Sequence, residues 1–312
     1  MPEIILHQYP RSPYAGKVRL ALGLKGAAYR SVTVPSWMPK PDLLPLTGGY
    51  RRTPVMQVGA DVFCDTLAIL RQIERMHPRP PLFPSATAPL ATALGWHVER
   101  SMFLPAVGIV VGLAGHTYPR AIFADRRAFF GFSLEPADML AQQARFVDRL
   151  NAHLAWLSGM MADGRDFLLG PAPSAADLCA YHPLWHLRHN GGETALKLLP
   201  AIAKLLGWMD RVAAIGHGRP TELAPAEALA VAQAASPMAP ERSCAAGLSG
   251  LALNDMVSMT PDDTGRDAVT GRLLAVSDDA IVLGRIDARL GAVHVHFPRA
   301  GFDAGPPRSA HD

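Results

Sequence analysis

Apolar positions along the first eighty residues change period several times, and each change marks an element. Residues 4–8 alternate weakly and are β-prone, predicting a strand that ends at Tyr9-Pro10. Ser12 followed by Pro13 predicts a helix start, because a serine hydroxyl caps free N–H groups and proline's fixed φ suits the first helical position. Tyr14, Val18, Ala21 and Leu22 form its apolar stripe, Lys17, Arg19 and Lys25 are expected to point outward, and Gly26 is the stop. Residues 29–34 are a second strand, so the opening predicts a βαβ unit with a right-handed crossover. Residues 35–50, rich in Pro and Gly, predict a connecting loop with at most a turn or two of helix. Residues 55–58 and 62–64 are β-prone runs joined through Gly59-Ala60-Asp61, a hairpin. Pro54 opens the first of them, where a missing N–H does no harm to the ladder. Asp65-Thr66 then caps a helix carrying Leu67, Ile69, Leu70, Ile73 and Met76 at helical spacing. A helix beginning at a strand's end aims N–H groups and a positive dipole end beyond the sheet, a place suited to a carboxylate.

Residues 77–89 hold five prolines and predict a linker. Beyond it, residues 90–103, 126–130, 135–157 and 174–189 show apolar residues at three- and four-residue spacing, with no strand-like alternation. Ser174 with Asp177 three residues on forms a capping box, a feature of folding and not of chemistry. Residues 202–212 and 221–235 predict further helices, and residues 236–249 a loose Ala/Pro linker. The pattern then becomes β-prone at residues 256–259, 269–276, 280–286 and 292–297, separated by turns. The expected architecture is multi-domain: an α/β domain over residues 1–78, an all-α bundle over 88–235, and a small antiparallel β domain over 249–305, curled into a meander or barrel.

Composition narrows the function classes. Lys plus Arg number 30 against 27 Asp plus Glu, with no basic run carrying interleaved aromatics, so nucleic acid is excluded as the main partner. Cys64, Cys179 and Cys244 are far apart with no metal-ligand spacing, which points to a reducing, cytoplasmic setting without disulfides. The amino-terminal residues lack a basic region and a long apolar run, and Phe103–Ala114 is too short to span a bilayer, so no membrane role is expected. His182, His186 and His189 share a helical face, but no carboxylate accompanies them at metal-site spacing, and no metal is expected. His294 and His296 flank Val295 on one side of a strand, and a solvated face is expected there.

The order β-α-β, loop, β-β-α with a proline opening the third strand resembles the thioredoxin-like domain of glutathione transferases. Three places carry the resemblance: Tyr9-Pro10-Arg11-Ser12-Pro13-Tyr14, Thr53-Pro54-Val55, and Asp65-Thr66, where the family more often has Glu-Ser. It extends over about residues 1–215, while the β-rich end lies outside the two-domain pattern. The resemblance implies a cis bond before Pro54, the γ-glutamyl end of glutathione at Asp65-Thr66, and the backbone of Thr53 on its cysteinyl part. It also implies a hydroxyl at Ser12 that stabilises the thiolate, with Tyr9 as the alternative hydroxyl. Ser12 can equally serve only as a cap, and Arg51 and Arg52 either hold the glycyl carboxylate or sit in solvent. Trp96, Arg100, Phe103 and Leu104 are expected to line the pocket of a second, hydrophobic electrophile, and a homodimer is implied.

The leading reading is therefore a cytoplasmic glutathione transferase-like enzyme with glutathione as co-substrate. A glutathione-dependent isomerase or lyase, or a catalytically silent binding protein, stands beside it. The departures at Asp65-Thr66 and at Arg51-Arg52 keep the silent reading open.

Overall fold

The computed structural model describes residues 2–240, 248 and 250–307; Cys244 and most of the expected 236–249 linker lie outside them. The chain opens with β1 (Ile5–Gln8), α1 (Pro13–Leu24), β2 (Ala28–Thr33), α2 (Leu44–Thr47), β3 (Val55–Val58), β4 (Asp61–Cys64) and α3 (Thr66–Met76). β1 runs parallel to β2 and antiparallel to β3, and β3 forms the hairpin with β4, turning at Gly59 with φ 59°. The Thr53–Pro54 bond is cis.

Lys17, Arg19 and Lys25 do not point outward as the polar pattern suggests. α1 is covered on two sides, so each charge is matched inside: Lys17 on Glu99, Arg19 on the Gln8 Oε1 at 2.6 Å and the Pro10 carbonyl, and Lys25 on Glu74. A charge enclosed without such a partner would be strongly destabilising.

The helical part comprises α4 (Ala88–Ser101), α5 (Phe103–Ala114), α6 (Ala121–Phe130), α7 (Pro136–Ala141), α8 (Gln143–Met160), α9 (Ala175–His186), α10 (Gly192–Lys197) and α11 (Leu206–Ala213). The expected single helix over 135–157 is two, broken at Gln142. Residues 104–114, outside the helices expected from spacing, fold within α5; Pro105 falls in its first turn, where its lost N–H has no partner to forfeit. α4, α5 and the turn after them make a 30-residue helical run, Ala88–Thr117, long and apolar enough to cross a membrane by length and composition; half of its apolar 18-residue window is buried within this fold. One continuous core joins Leu6 and Phe63 of the sheet and Val18 of α1 to Ile109, Leu154 and Leu184 of the later helices.

After the helices come β5 (Arg219–Glu222), α12 (Pro225–Ala234), and the strands β6 (Met256–Pro261), β7 (Val269–Val276), β8 (Ala280–Asp287), β9 (Gly291–Pro298) and β10 (Phe302–Gly305). The first residues of the helix expected over 221–235 are strand instead: β5 adds in parallel to the edge of β2. The β-rich end is an antiparallel set ordered β10-β6-β7-β8-β9, but it does not close on itself. β9 pairs in parallel with β4, pairing Asp61 with His294 and Phe63 with His296, so one sheet runs β10-β6-β7-β8-β9-β4-β3-β1-β2-β5. Both edges of the first four strands are thereby covered, which removes unpaired backbone groups from solvent. β4 is buried at all four residues, as an inner strand is. A second core forms where Val55, Val62 and Cys64 meet Val257, Leu283, Val295 and Phe297.

The pairing also overturns the solvated face expected for His294 and His296. They sit over β4, with side chains 16% and 12% exposed, and the His296 Nε2 lies 2.7 Å from the Asp61 carboxylate while its ring stacks on Phe63. His182, His186 and His189 do not converge: the first donates to the Cys179 carbonyl, the second meets Asn190, and the third stacks on Trp185. No three His, Cys, Asp or Glu side chains cluster as metal ligands among the described residues. Cys64 and Cys179 are both buried free thiols.

Candidate functional site

Three element starts converge on one cavity of about 320 Å³. Tyr9 and Ser12 reach it from the β1–α1 turn, Thr53 and Pro54 from the entry to β3, and Asp65 and Thr66 from the start of α3. Lys40, Arg51, Arg52, Glu99, Arg100 and Phe103 also line it. The residues expected to hold glutathione or the second substrate thus share one space, including Trp96 and Leu104.

Ser12 is the N-cap of α1: its Oγ accepts the Ala15 N–H at 3.1 Å, and the residue is 1% exposed. Accepting this bond leaves the hydroxyl proton available to donate elsewhere. Asp65 caps α3 through the Leu67 N–H at 2.8 Å and holds a backbone φ of 77°, a region that L residues rarely occupy and that is found mainly where surroundings enforce it. Burial, then the nearby Glu99, push its carboxyl pKa up, opposed by the cap bond, Lys17 and Arg52. Tyr14, enclosed beside it, has its phenol pushed well above the ordinary value by desolvation, then by Glu99 and Asp65.

The charged side chains fall into two groups. Around Asp65 stand Lys17 with Glu99, and Arg52 with Asp263 and the Thr264 carbonyl; two cations face three carboxylates, and Asp65 has no ion-pair partner among the described residues. Around Lys40 stand Arg51 and Arg126, both on Asp125, so three cations face one carboxylate. Lys40 reaches only neutral oxygens, the Arg51 carbonyl at 2.8 Å and the Thr53 Oγ1 at 2.7 Å. Burial, aided by Arg126 and Arg51 and opposed by Asp125, lowers its pKa to about 7. Arg51 and Arg52 are therefore neither solvated nor free; both already hold acidic partners.

A second cavity, of about 580 Å³, adjoins the first across Tyr9, Pro13, Trp37, Phe103 and Phe130. Its further walls are largely apolar, from Val107 and Val111 of α5 to Ile122 and Phe123 of α6. An anion held at Ser12 would thus have an apolar chamber next to it.

Residues 6–81 match the glutathione S-transferase N-terminal domain and residues 141–211 its C-terminal domain. A GST-like protein from Pseudomonas syringae is 35% identical in sequence, with a TM-score of 0.76 over 98% of this chain and 100% of that one. The chain belongs to the glutathione S-transferase family. A zeta-class glutathione S-transferase of Euphorbia esula is 35% identical over 88 residues, 27% of this chain, so the chain spans only 38% of that relative. The tau-class glutathione S-transferase of mango, 18% identical with a TM-score of 0.53 over 68% of this chain and 89% of that one, shares the fold.

Sequence reasoning missed Lys40, Asp125, Arg126 and Phe129, and everything the β-rich end brings to the cavity. Lys40 lies between two prolines in a stretch read as plain loop, and no local pattern marks it. Asp263 falls in what reads as an ordinary Pro-Asp-Asp-Thr-Gly turn. Only the β9–β4 pairing brings that turn to the cavity.

Proposed function

We propose that this protein binds glutathione in the first cavity and activates its thiol for attack on a hydrophobic electrophile held in the second. The observation that carries the reading is the opposed charge of the two groups. An acid without a cationic partner at Asp65 suits the ammonium at the γ-glutamyl end, and an excess of cations at Lys40 suits the glycyl carboxylate. The Ser12 hydroxyl lies in the same cavity, where the cysteinyl sulfur of such a ligand belongs, and Thr53 borders it. Thr66 opens α3 with free N–H groups for the γ-glutamyl carboxylate.

Ser12 donates its hydroxyl hydrogen to the sulfur while the start of α1 adds its dipole. The thiol proton leaves to solvent, the thiolate forms a carbon–sulfur bond, and the leaving group departs with its electron pair. Lowering a thiol of pKa about 8.5 by two units takes about 2.7 kcal/mol. A hydrogen bond to a charged group contributes about 1.5–3 kcal/mol, and a helix end about 0.3–1 kcal/mol. The two together reach the need.

A binding protein without turnover is the second reading, favoured by the Ser12 Oγ already serving as a cap. Calorimetric titration with glutathione and turnover of a panel of aryl halides separate the readings. Wild type is expected to bind and turn over, and Ser12→Ala to lose at least tenfold in turnover with a smaller loss in binding. Absence of glutathione binding would sink both; unchanged turnover in the variant would move the role to Tyr9. A homodimer is proposed with this reading, and a monomer by light scattering at micromolar concentration would overturn it.

A further inference from the structure

The turn between β6 and β7 reaches from the C-terminal extension into the wall of the first cavity through Asp263 and Thr264. It is pinned on every side. Arg52 holds Asp263 and the Thr264 carbonyl, Arg100 of α4 holds Asp262, and the Gly265 N–H donates to the Phe129 carbonyl at 2.7 Å. The Asp262 N–H donates to the Gly301 carbonyl at 3.0 Å. Positive φ, 53° at Gly265 and 93° at Gly301, and close neighbours favour glycine at two of these points. A Cβ on Gly265 would stand 2.1 Å from the Phe129 ring, and one on Gly301 would stand 3.1 Å from Trp96. The turn is thus a built part of the wall.

Asp263 meets Arg52 through its Oδ1, and the Thr264 amide also donates to its carboxylate. Asp65 uses one oxygen, Oδ1, on its own helix cap. Burial works to raise the Asp263 carboxyl, but the charge and hydrogen bond of Arg52, with the Thr264 amide and Arg100, hold it below the ordinary range. It is ionised at neutral pH. Asp65 and Asp263 both line the first cavity, and Arg52, which holds Asp263, lines it with them. Two carboxylates thus line one cavity, Asp263 paired with Arg52 and Asp65 with no ion-pair partner among the described residues, and a ligand's ammonium group completes the balance.

We propose that Asp263, supplied by the C-terminal extension, joins Asp65 in holding the free α-ammonium of the γ-glutamyl end, and so determines specificity for a ligand carrying that amine. The inference rests on the glutathione reading. Arg52 is a positioning residue in it, aiming Asp263.

The test is titration calorimetry of wild type, Asp263→Asn and Asp262→Asn with glutathione and with its des-amino analogue, glutaryl-cysteinylglycine. Asp263→Asn keeps an acceptor for Arg52 and so keeps the turn in place. Wild type is expected to prefer glutathione at least tenfold. Asp263→Asn should bind glutathione about tenfold more weakly and the analogue unchanged, so that the preference collapses. Asp262→Asn, which loosens the turn without touching the cavity carboxylate, should retain the preference. An Asp263→Asn protein that still discriminates, or that weakens both ligands equally, would overturn the proposal. Wild type binding the analogue as well as glutathione would do the same, whereas binding of neither would overturn the glutathione reading and the proposal with it.

Discussion

Lys40 is an ammonium enclosed beside two guanidiniums, with carbonyl and hydroxyl oxygens in place of a carboxylate. Its pKa of about 7, against about 10.5 in an unfolded chain, means that the folded protein sheds this proton near neutrality while the unfolded chain retains it. Between those values the unfolded state binds more protons, so raising pH from 7 toward 10 adds stability from this group; below 7 the full cost of the enclosed charge is present. A ligand carboxylate prefers the charged form and draws the pKa back up. Glutathione binding is therefore expected to take up a proton at pH 7.5, and affinity to fall as pH rises above 7. Calorimetry in two buffers of different ionisation enthalpy measures that uptake. Lys40→Met should abolish it, raise stability at pH 6, and weaken binding by tenfold or more, since a hydrogen bond to a charged group contributes about 1.5–3 kcal/mol. Equal proton uptake in wild type and variant would show that another group titrates.

At the scale of single elements, what could be read from the sequence was whatever local chemistry decides. Ser12-Pro13, Asp65-Thr66 and the Ser174–Asp177 capping box start their helices where the residue types say they should. α1 shows the limit: its charges looked solvent-facing because periodicity reports polarity and not the neighbours that neutralise it. β5 and β10 were invisible, since each is four residues long and made by pairing with a distant partner. The helix α9 carries a further consequence. Asp177 is fully buried and accepts from the Ser174 N–H, the Ser174 Oγ, the Leu168 N–H and the Trp208 Nε1, tying its start to the loop before it and to α11. Asp177→Ala strands several buried donors at about 1–3 kcal/mol each. It is expected to lower the urea midpoint by an amount equivalent to at least 3 kcal/mol, while folded protein keeps its glutathione affinity. A loss confined to binding, with stability intact, would reassign Asp177 to the site.

At the scale of the whole molecule, the site was half legible. The motifs proposed to bind the sulfur and the peptide are local, but the wall bearing Asp263 depends on a strand pairing between residues more than 230 positions apart, which no local pattern encodes. The same pairing makes the extension structural. Leu43, Leu46, Val55, Val62 and Cys64 of the first part are buried in the second core, where their cover includes Val257, Leu283, Val295 and Phe297. Burying a side chain of this kind contributes about 1.5–3 kcal/mol, so uncovering even three or four removes an amount comparable to the total stability of a domain, about 5–15 kcal/mol. Ending the chain at residue 235 would also bare the β4 edge and its row of unpaired backbone groups. Such a truncated protein is expected to aggregate, and any soluble fraction to bind a hydrophobic dye and melt well below the full chain. Size-exclusion chromatography and thermal unfolding decide the matter: a monodisperse fragment with the full chain's melting temperature would mean that the second core is dispensable. Asp263→Asn should leave both measurements unchanged, which separates the extension's contribution to the fold from its contribution to the site.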